Sequence, residues 1–291
     1  MKTIATVAVL GAGTMGRGIA HVAAQGGYAT HLFDVSATAL DKARQAIERN
    51  LEKGVKLGKV EQAAAAATLG RLQLHAEIAP AVAAADLVVE AVPERLELKV
   101  ETFDVVARSC PPDALFASNT SGLSITEIAG STDRADRFAG MHFFNPVHVM
   151  KLVELVRGLE TSEATLAALG EVAARMGKEV VVIREAPGFV TSRINAMIGN
   201  EAFRMLETGV ASAEDIDKAL KLGLNHPMGP FEMVDLVGLD VRLSILQYLH
   251  QTLGETYRPS NLLAQYVKAG RLGRKTGKGV YVYDEEGNRI G

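Results

Sequence analysis

Over roughly the first 185 residues, short apolar runs alternate with longer stretches whose apolar positions recur at helical spacing. The runs Thr6 to Leu10, Ala29 to Phe33, Leu72 to His75, Leu87 to Ala91, Leu115 to Ser118, Phe138 to Met141, Leu152 to Val156 and Val180 to Ile183 predict strands. Strands alternating with helices predict a parallel α/β sheet. Between the second and third runs, Ala37 to Leu69 is helical in pattern but too long for one crossover helix, so it predicts a helical hairpin protruding from the sheet. Beyond Arg184-Glu185-Ala186-Pro187-Gly188 the strand signals stop. Ile194 to Glu207, Ala213 to Leu222, Phe231 to Val237, Asp240 to Leu253 and Asn261 to Ala269 then predict helices. The boundary divides the chain into residues 1–185 and 186–291, and the apolar faces of the five helices exceed what one small bundle needs. That excess predicts self-association, a homodimer through the C-terminal helical domain.

Composition narrows the function classes. With 31 basic and 34 acidic residues the net charge is -3, which gives no global attraction to nucleic acid or to an anionic membrane. An anionic ligand must therefore be held by local charge. A single cysteine, Cys110, excludes an internal disulfide, fits a reducing compartment and, without clustered histidines, removes zinc-site spacing, so no metal is expected. The run Ile4 to Leu10 is too short for a signal segment and enters Gly11-Ala12-Gly13 directly, and no stretch approaches the roughly 20 apolar residues of a membrane span. These features predict a soluble cytoplasmic protein.

Gly11-Ala12-Gly13-Thr14-Met15-Gly16 follows the first strand and opens a helix. Each glycine has a mechanical reason: Gly11 for the tight turn, Gly13 for close approach of a pyrophosphate and Gly16 for packing of helix on strand. The helix N-terminus, with Thr14 and Met15 in its first turn, offers N–H donors to phosphate. Asp34 ends the second strand 18 residues after Gly16, where a carboxylate accepts hydrogen bonds from the adenosine ribose and repels a 2′-phosphate. NAD is thereby favoured over NADP, although Asp34 also suits the plainer task of helping Ser36 cap the next helix. The expected architecture is an α/β Rossmann-type N-terminal domain with a helical-hairpin insertion, followed by an all-α C-terminal domain.

Three segments fall at strand ends, where ligands of open α/β sheets bind: Val88 to Glu94, Ser118-Asn119-Thr120-Ser121, and His142-Phe143-Phe144-Asn145-Pro146. A histidine oriented by a carboxylate such as Glu154 is a proton acceptor, and a dinucleotide is a hydride acceptor. Together these are the two halves of alcohol oxidation. Taken singly, His142 also reads as a satisfied loop histidine and Glu154 as a strand residue facing solvent.

With these motifs in order, the chain resembles the L-3-hydroxyacyl-CoA dehydrogenase family, and within it the short bacterial 3-hydroxybutyryl-CoA dehydrogenases. The likeness runs from Gly11-Ala12-Gly13-Thr14-Met15-Gly16-Arg17-Gly18 through Ser118-Asn119-Thr120-Ser121 and His142-Phe143-Phe144-Asn145-Pro146 to Gly273-Arg274-Lys275-Thr276-Gly277. It implies that His142 is the general base, that Glu154 orients it, and that Ser121 hydrogen-bonds the reacting oxygen. Ser121 equally suits a helix cap before Leu123. The resemblance further implies that Asn145, Glu94 and Lys99 lie near the nicotinamide end of the cofactor, Glu94 and Lys99 being alternatively a surface pair on the following helix. Lys275 matches a family lysine carried toward the cofactor, or belongs to a simple basic tail.

The sequence departs from the family at Pro187-Gly188-Phe189-Val190-Thr191-Ser192, where Ser192 occupies the usual position of an asparagine. A serine keeps one hydroxyl donor but reaches less far. Asn195, on the same helix face, or a water is expected to compensate. For the acyl-CoA thioester partner, Lys53 and Lys56, with Arg49, form a basic stripe suited to phosphates, but interleaved Glu48 and Glu52 make a solvated face equally consistent. The resemblance implies NAD-dependent interconversion of (3S)-3-hydroxyacyl-CoA and 3-oxoacyl-CoA, as in fatty-acid β-oxidation. An L-gulonate 3-dehydrogenase-like oxidoreductase on a free hydroxy acid, and a non-catalytic NAD-binding homologue, are the competing readings.

Overall fold

Val7, Val9, Leu32, Leu87 and Val89 are fully buried, as strands must be when helices cover both faces of a sheet. The computed structural model describes residues 3–290 and divides into one unit up to Ala186 and a second from Pro187. The first unit runs β1 (Thr6–Leu10), α1 (Thr14–Gln25), β2 (Ala29–Phe33), α2 (Ala37–Lys56), α3 (Gln62–Gly70), β3 (Leu72–His75), α4 (Ile78–Val82), β4 (Leu87–Glu90), α5 (Leu96–Ser109), β5 (Leu115–Ser118), α6 (Ile125–Gly130), β6 (Phe138–Phe143), β7 (Leu152–Arg157), α7 (Glu163–Arg175) and β8 (Glu179–Arg184).

The strands form one sheet in the order β3-β2-β1-β4-β5-β6-β7-β8. The chain steps outward from β1 to β3 and then returns to β4 on the other side of β1. This reversal is the topological switch point, where the turns after β1 and β4 lead in opposite directions and leave a crevice for a ligand. All neighbours are parallel except β6 and β7. The expectation of a wholly parallel sheet is corrected there, because the connection from Phe144 to Lys151 is too short for a crossover helix and can only reverse the chain.

The stretch from Ala37 to Leu69 is a hairpin, α2 and α3, as its length implied, but it does not simply protrude. Leu40, Ala43, Ile47 and Leu51 of α2 share one core with Ile19, Ala20 and Ala23 of α1, because the apolar stripe of α2 must be buried against something. Ser36 caps α2, accepting from the Ala39 amide at 3.2 Å.

The second unit contains α8 (Thr191–Glu207), α9 (Ala213–Gly223), α10 (Pro230–Val237), α11 (Leu239–Leu253) and α12 (Asn261–Lys268). Its core joins Phe203, Phe231, Leu246, Leu249 and Leu263, with Phe203 and Phe231 edge to face. The segment after α12 has no strand among the described residues but makes isolated β-bridges, Gly273 with Lys278 and Tyr283 with Arg289. Two buried carboxylates fasten it. Asp235 accepts from the Val280 and Tyr281 amides at 2.8 and 2.9 Å and from the Tyr283 hydroxyl at 2.9 Å. Asp217 accepts from the Phe231 and Glu232 amides and from the Tyr281 hydroxyl at 2.8, 3.2 and 2.8 Å. Burial raises both carboxyls above the ordinary range against the pull of these donors. Among the described residues no helix is long and apolar enough to cross a membrane.

Candidate active site

The glycine turn can be tested by adding the missing Cβ. At Gly11, whose φ is +99°, a Cβ would lie 2.6 Å from the Ala91 carbonyl oxygen, and at Gly16 it would overlap the Gly11 carbonyl. The fold itself forbids side chains at both. At Gly13 a Cβ would meet nothing within 4 Å, and its φ of -64° is open to any residue. Packing does not require glycine there, so what Gly13 leaves vacant is an approach from outside. No side chain caps α1, whose first-turn amides therefore face that approach. Asp34 completes the cradle: Oδ2 accepts from the Ala12 amide at 2.8 Å and Oδ1 from the Ser36 amide at 2.9 Å. The contact with the Ser36 amide matches the capping reading of Asp34, and each oxygen retains a lone pair that a ribose hydroxyl could use. These residues fit a dinucleotide.

Beyond β4 lies a buried charged network. Glu90, the last residue of β4, is unexposed and takes the Lys99 ammonium at 2.7 Å, the Val92 amide at 2.7 Å and the Ser118 hydroxyl at 2.6 Å. Lys99 also donates to the Val92 carbonyl at 3.3 Å and contacts Glu94 Oε2 at 3.2 Å. Glu94 Oε1 accepts from the Thr120 hydroxyl at 2.6 Å, the Ser121 amide at 2.9 Å and the Ser121 hydroxyl at 3.3 Å. Lys99 is 1 % exposed, so the reading of Glu94 and Lys99 as a surface pair fails for the lysine. Nor does Ser121 cap the next helix, since Ser124 caps α6 by accepting from Glu127. The Ser121 hydroxyl holds the longest of the three bonds to Glu94 Oε1, and is the donor released with least cost when another acceptor arrives.

His142 was expected just after the sixth strand and instead lies within it. The β6–β7 ladder continues to Phe143 and sets His142 directly opposite Glu154, because residues facing across an antiparallel pair project to the same side. Nδ1 of His142 meets Glu154 Oε2 at 2.8 Å, with Glu154 unexposed. A carboxylate that has lost its proton only accepts, so this contact favours the tautomer with the proton on Nδ1. Asn119 Oδ1 accepts from the Phe143 amide at 2.9 Å, tying the end of β6 to the loop after β5.

An open cavity of about 390 Å³ brings Thr14 of the glycine helix together with Asn145, Arg17, Arg49, Asn50 and His148. Lys53 and Lys56 are exposed on α2 and outside this lining. Arg17, Glu90 and Ser118 received no role from the sequence. Only the charge of Arg17, directly after the glycine motif, signals it, while Glu90 falls inside the apolar run Leu87 to Ala91. In the second unit Ser192 and Asn195 are half-buried on the first turns of α8, and Lys275 meets both oxygens of Asp240 at 2.6 and 2.7 Å.

Comparison with known proteins supplies an independent reading. The family described as 3-hydroxyacyl-CoA dehydrogenase, NAD binding domain, matches residues 6–186, and 3-hydroxyacyl-CoA dehydrogenase, C-terminal domain, matches residues 188–283. The chain is 46 % identical over 281 residues to 3-hydroxybutyryl-CoA dehydrogenase of Bradyrhizobium diazoefficiens, covering 96 % of each chain. It is 43 % identical over 280 residues to 3-hydroxybutyryl-CoA dehydrogenase of Clostridioides difficile, covering 96 % of this chain and 99 % of the other. The crystal structure of (S)-3-hydroxybutyryl-CoA dehydrogenase from Ralstonia eutropha is similar with a TM-score of 0.94 and 43 % identity, over 97 % of this chain and 100 % of that one.

Proposed function

The chain belongs to the 3-hydroxyacyl-CoA dehydrogenase family, and from that premise we propose that it interconverts short-chain (3S)-3-hydroxyacyl-CoA, foremost 3-hydroxybutyryl-CoA, and the 3-oxoacyl-CoA with NAD. The observation that carries the chemistry is the 2.8 Å contact between His142 Nδ1 and buried Glu154. In oxidation, Nε2 of His142 takes the proton of the 3-hydroxyl as the C3–H bond breaks, and the ring becomes an imidazolium neutralised by Glu154. Bound NAD supplies the acceptor for the C3 hydride. The Ser121 hydroxyl turns from Glu94 to donate to the C3 oxygen, where negative charge develops in the reductive direction. In reduction, His142 returns its proton to that oxygen.

Gly11, Gly13, Thr14, Met15, Gly16 and Asp34 hold the adenosine and pyrophosphate end of NAD. Glu94, Lys99 and Asn145 serve the nicotinamide end. For the thioester, Arg17 and Arg49 in the cavity beside Asn145 offer guanidinium groups to the phosphates of coenzyme A, with Lys53 and Lys56 adding charge from α2. Ser192, aided by Asn195, contacts the acyl group. Exposed Ile194, Leu236, Val237 and Val241 of the helical unit support pairing of two copies through it. The unpaired thiol of Cys110 supports work in the reducing cytoplasm.

The test is loss of NADH absorbance with acetoacetyl-CoA, run beside NADPH and free acetoacetate. Turnover selective for NADH and dependent on the CoA ester is expected. Equal turnover of free acetoacetate would favour a hydroxy-acid oxidoreductase, and tight NADH binding without turnover a non-catalytic homologue.

A further inference from the structure

Glu90 is a buried carboxylate that the reaction above does not use. It closes β4 beside the switch point, opposite Leu10 of β1 and Ser118 of β5, and all three of its hydrogen-bonding neighbours are donors: the Lys99 ammonium, the Val92 amide and the Ser118 hydroxyl. Such donors favour the ionised form of the group. Burial pushes its carboxyl upward and the Lys99 charge opposes that.

The ammonium of Lys99 has three N–H bonds and three acceptors: Glu90 at 2.7 Å, Glu94 at 3.2 Å and the Val92 carbonyl at 3.3 Å. Its direction is therefore set by its shortest contact, Glu90. Lys99 in turn holds one oxygen of Glu94 while the other collects the Thr120 hydroxyl and both donors of Ser121. Glu94 is the only half-exposed member of the chain of charges, with 43 % of its side chain accessible. Without a fixed Lys99 it is free to leave Ser121.

We propose that Glu90 is a positioning residue for the dehydrogenation, holding Lys99 so that Glu94, through the Thr120 hydroxyl and the Ser121 amide, keeps Ser121 placed for its hydroxyl to turn to the reacting oxygen. This rests on the role of Ser121 given above. Glu90→Gln keeps the shape and removes the charge. Lys99 then has only Glu94 as its anion, and the pair contracts away from Ser121. Because Ser121 acts on charge that develops during reaction, the loss falls on kcat rather than KM.

The experiment is a double-mutant cycle in the acetoacetyl-CoA and NADH assay, with folding followed by thermal melting. Glu90→Gln is expected to lower kcat about tenfold with KM for acetoacetyl-CoA changed less than about twofold. In the Ser121→Ala background the same change should cost less than about twofold, since what Glu90 positions is gone. Equal losses in both backgrounds, or no loss in either, would overturn the role of Glu90. If Glu90→Gln does not fold, Ser118→Ala, which removes one donor to Glu90, takes its place in the cycle: coupling to Ser121 supports the proposal and additivity overturns it. An inactive wild type brings down both readings, whereas an active wild type with additive losses brings down only this one.

Discussion

The end of β6 and the middle of α1 each bury an imidazole, and the two are chemically opposite. His142 faces an unexposed glutamate across an antiparallel ladder, with Nδ1 2.8 Å from the carboxylate. His21, on α1, is 3 % exposed, has no hydrogen-bond partner at Nδ1 and stacks on His148 at 5.6 Å between ring centres. Burial first, then His148 and Lys178, push its pKa down to about 4. A ring held neutral in this way is a poor proton acceptor, whereas a carboxylate at the correct nitrogen fixes the tautomer and stabilises the charged form. Burial alone does not make a histidine a base; in the proposed reaction the group opposite it does.

Removing the proposed base is the largest change expected. His142→Gln should lower kcat by about 10² to 10⁴ while NADH affinity and melting temperature hold. His21→Gln should leave kcat unchanged, and a comparable loss there would end the distinction between the two rings. Next is the carboxylate itself. Glu154→Gln should cost about 10² in kcat, because an amide neither fixes the tautomer nor balances the imidazolium. Unaltered turnover would show that Glu154 is not what separates His142 from His21.

A smaller effect concerns stability. The folded pKa of His21 is about 4 against an ordinary 6.5, so between these values the unfolded chain binds the extra proton. The stabilisation is complete above about pH 6.5 and is lost as pH falls toward 4, amounting to at most about 3 kcal/mol. Melting temperature against pH should show that acid limb in the wild type and a flatter one in His21→Gln; parallel curves would contradict the burial argument. The smallest effect lies outside both histidines. If His142 governs turnover, Ser192→Asn should keep kcat within about threefold, and a loss of several orders would shift weight from the base to the acyl contact.

The two kinds of buried carboxylate extend the same lesson. Asp217 and Asp235 are saturated by backbone amides and tyrosine hydroxyls, partners that do not titrate near neutrality, so they fasten chain to chain. Glu90 and Glu154 hold a lysine and a histidine, groups to which the proposed reaction assigns a part.

Much of this was legible in the chain itself. The eight strand positions, the five helices after Pro187, the hairpin after β2, the glycine turn and Asp34 follow from side-chain periodicity and from turns whose φ and close approaches only glycine allows. Such preferences act within a few residues and are written locally. The extent of β6 was not legible, because polar His142 ends the apolar run while hydrogen bonding to β7 continues past it. The pairing of Glu154 with His142 was expected from the family resemblance, but tertiary structure decided that it is made across a strand ladder, that α2 lies on α1, and that Glu90, Lys99, Glu94 and Ser121 form one connected network. Each depends on strand register or helix packing between residues distant in sequence, and those are fixed only when the whole sheet closes on its apolar faces.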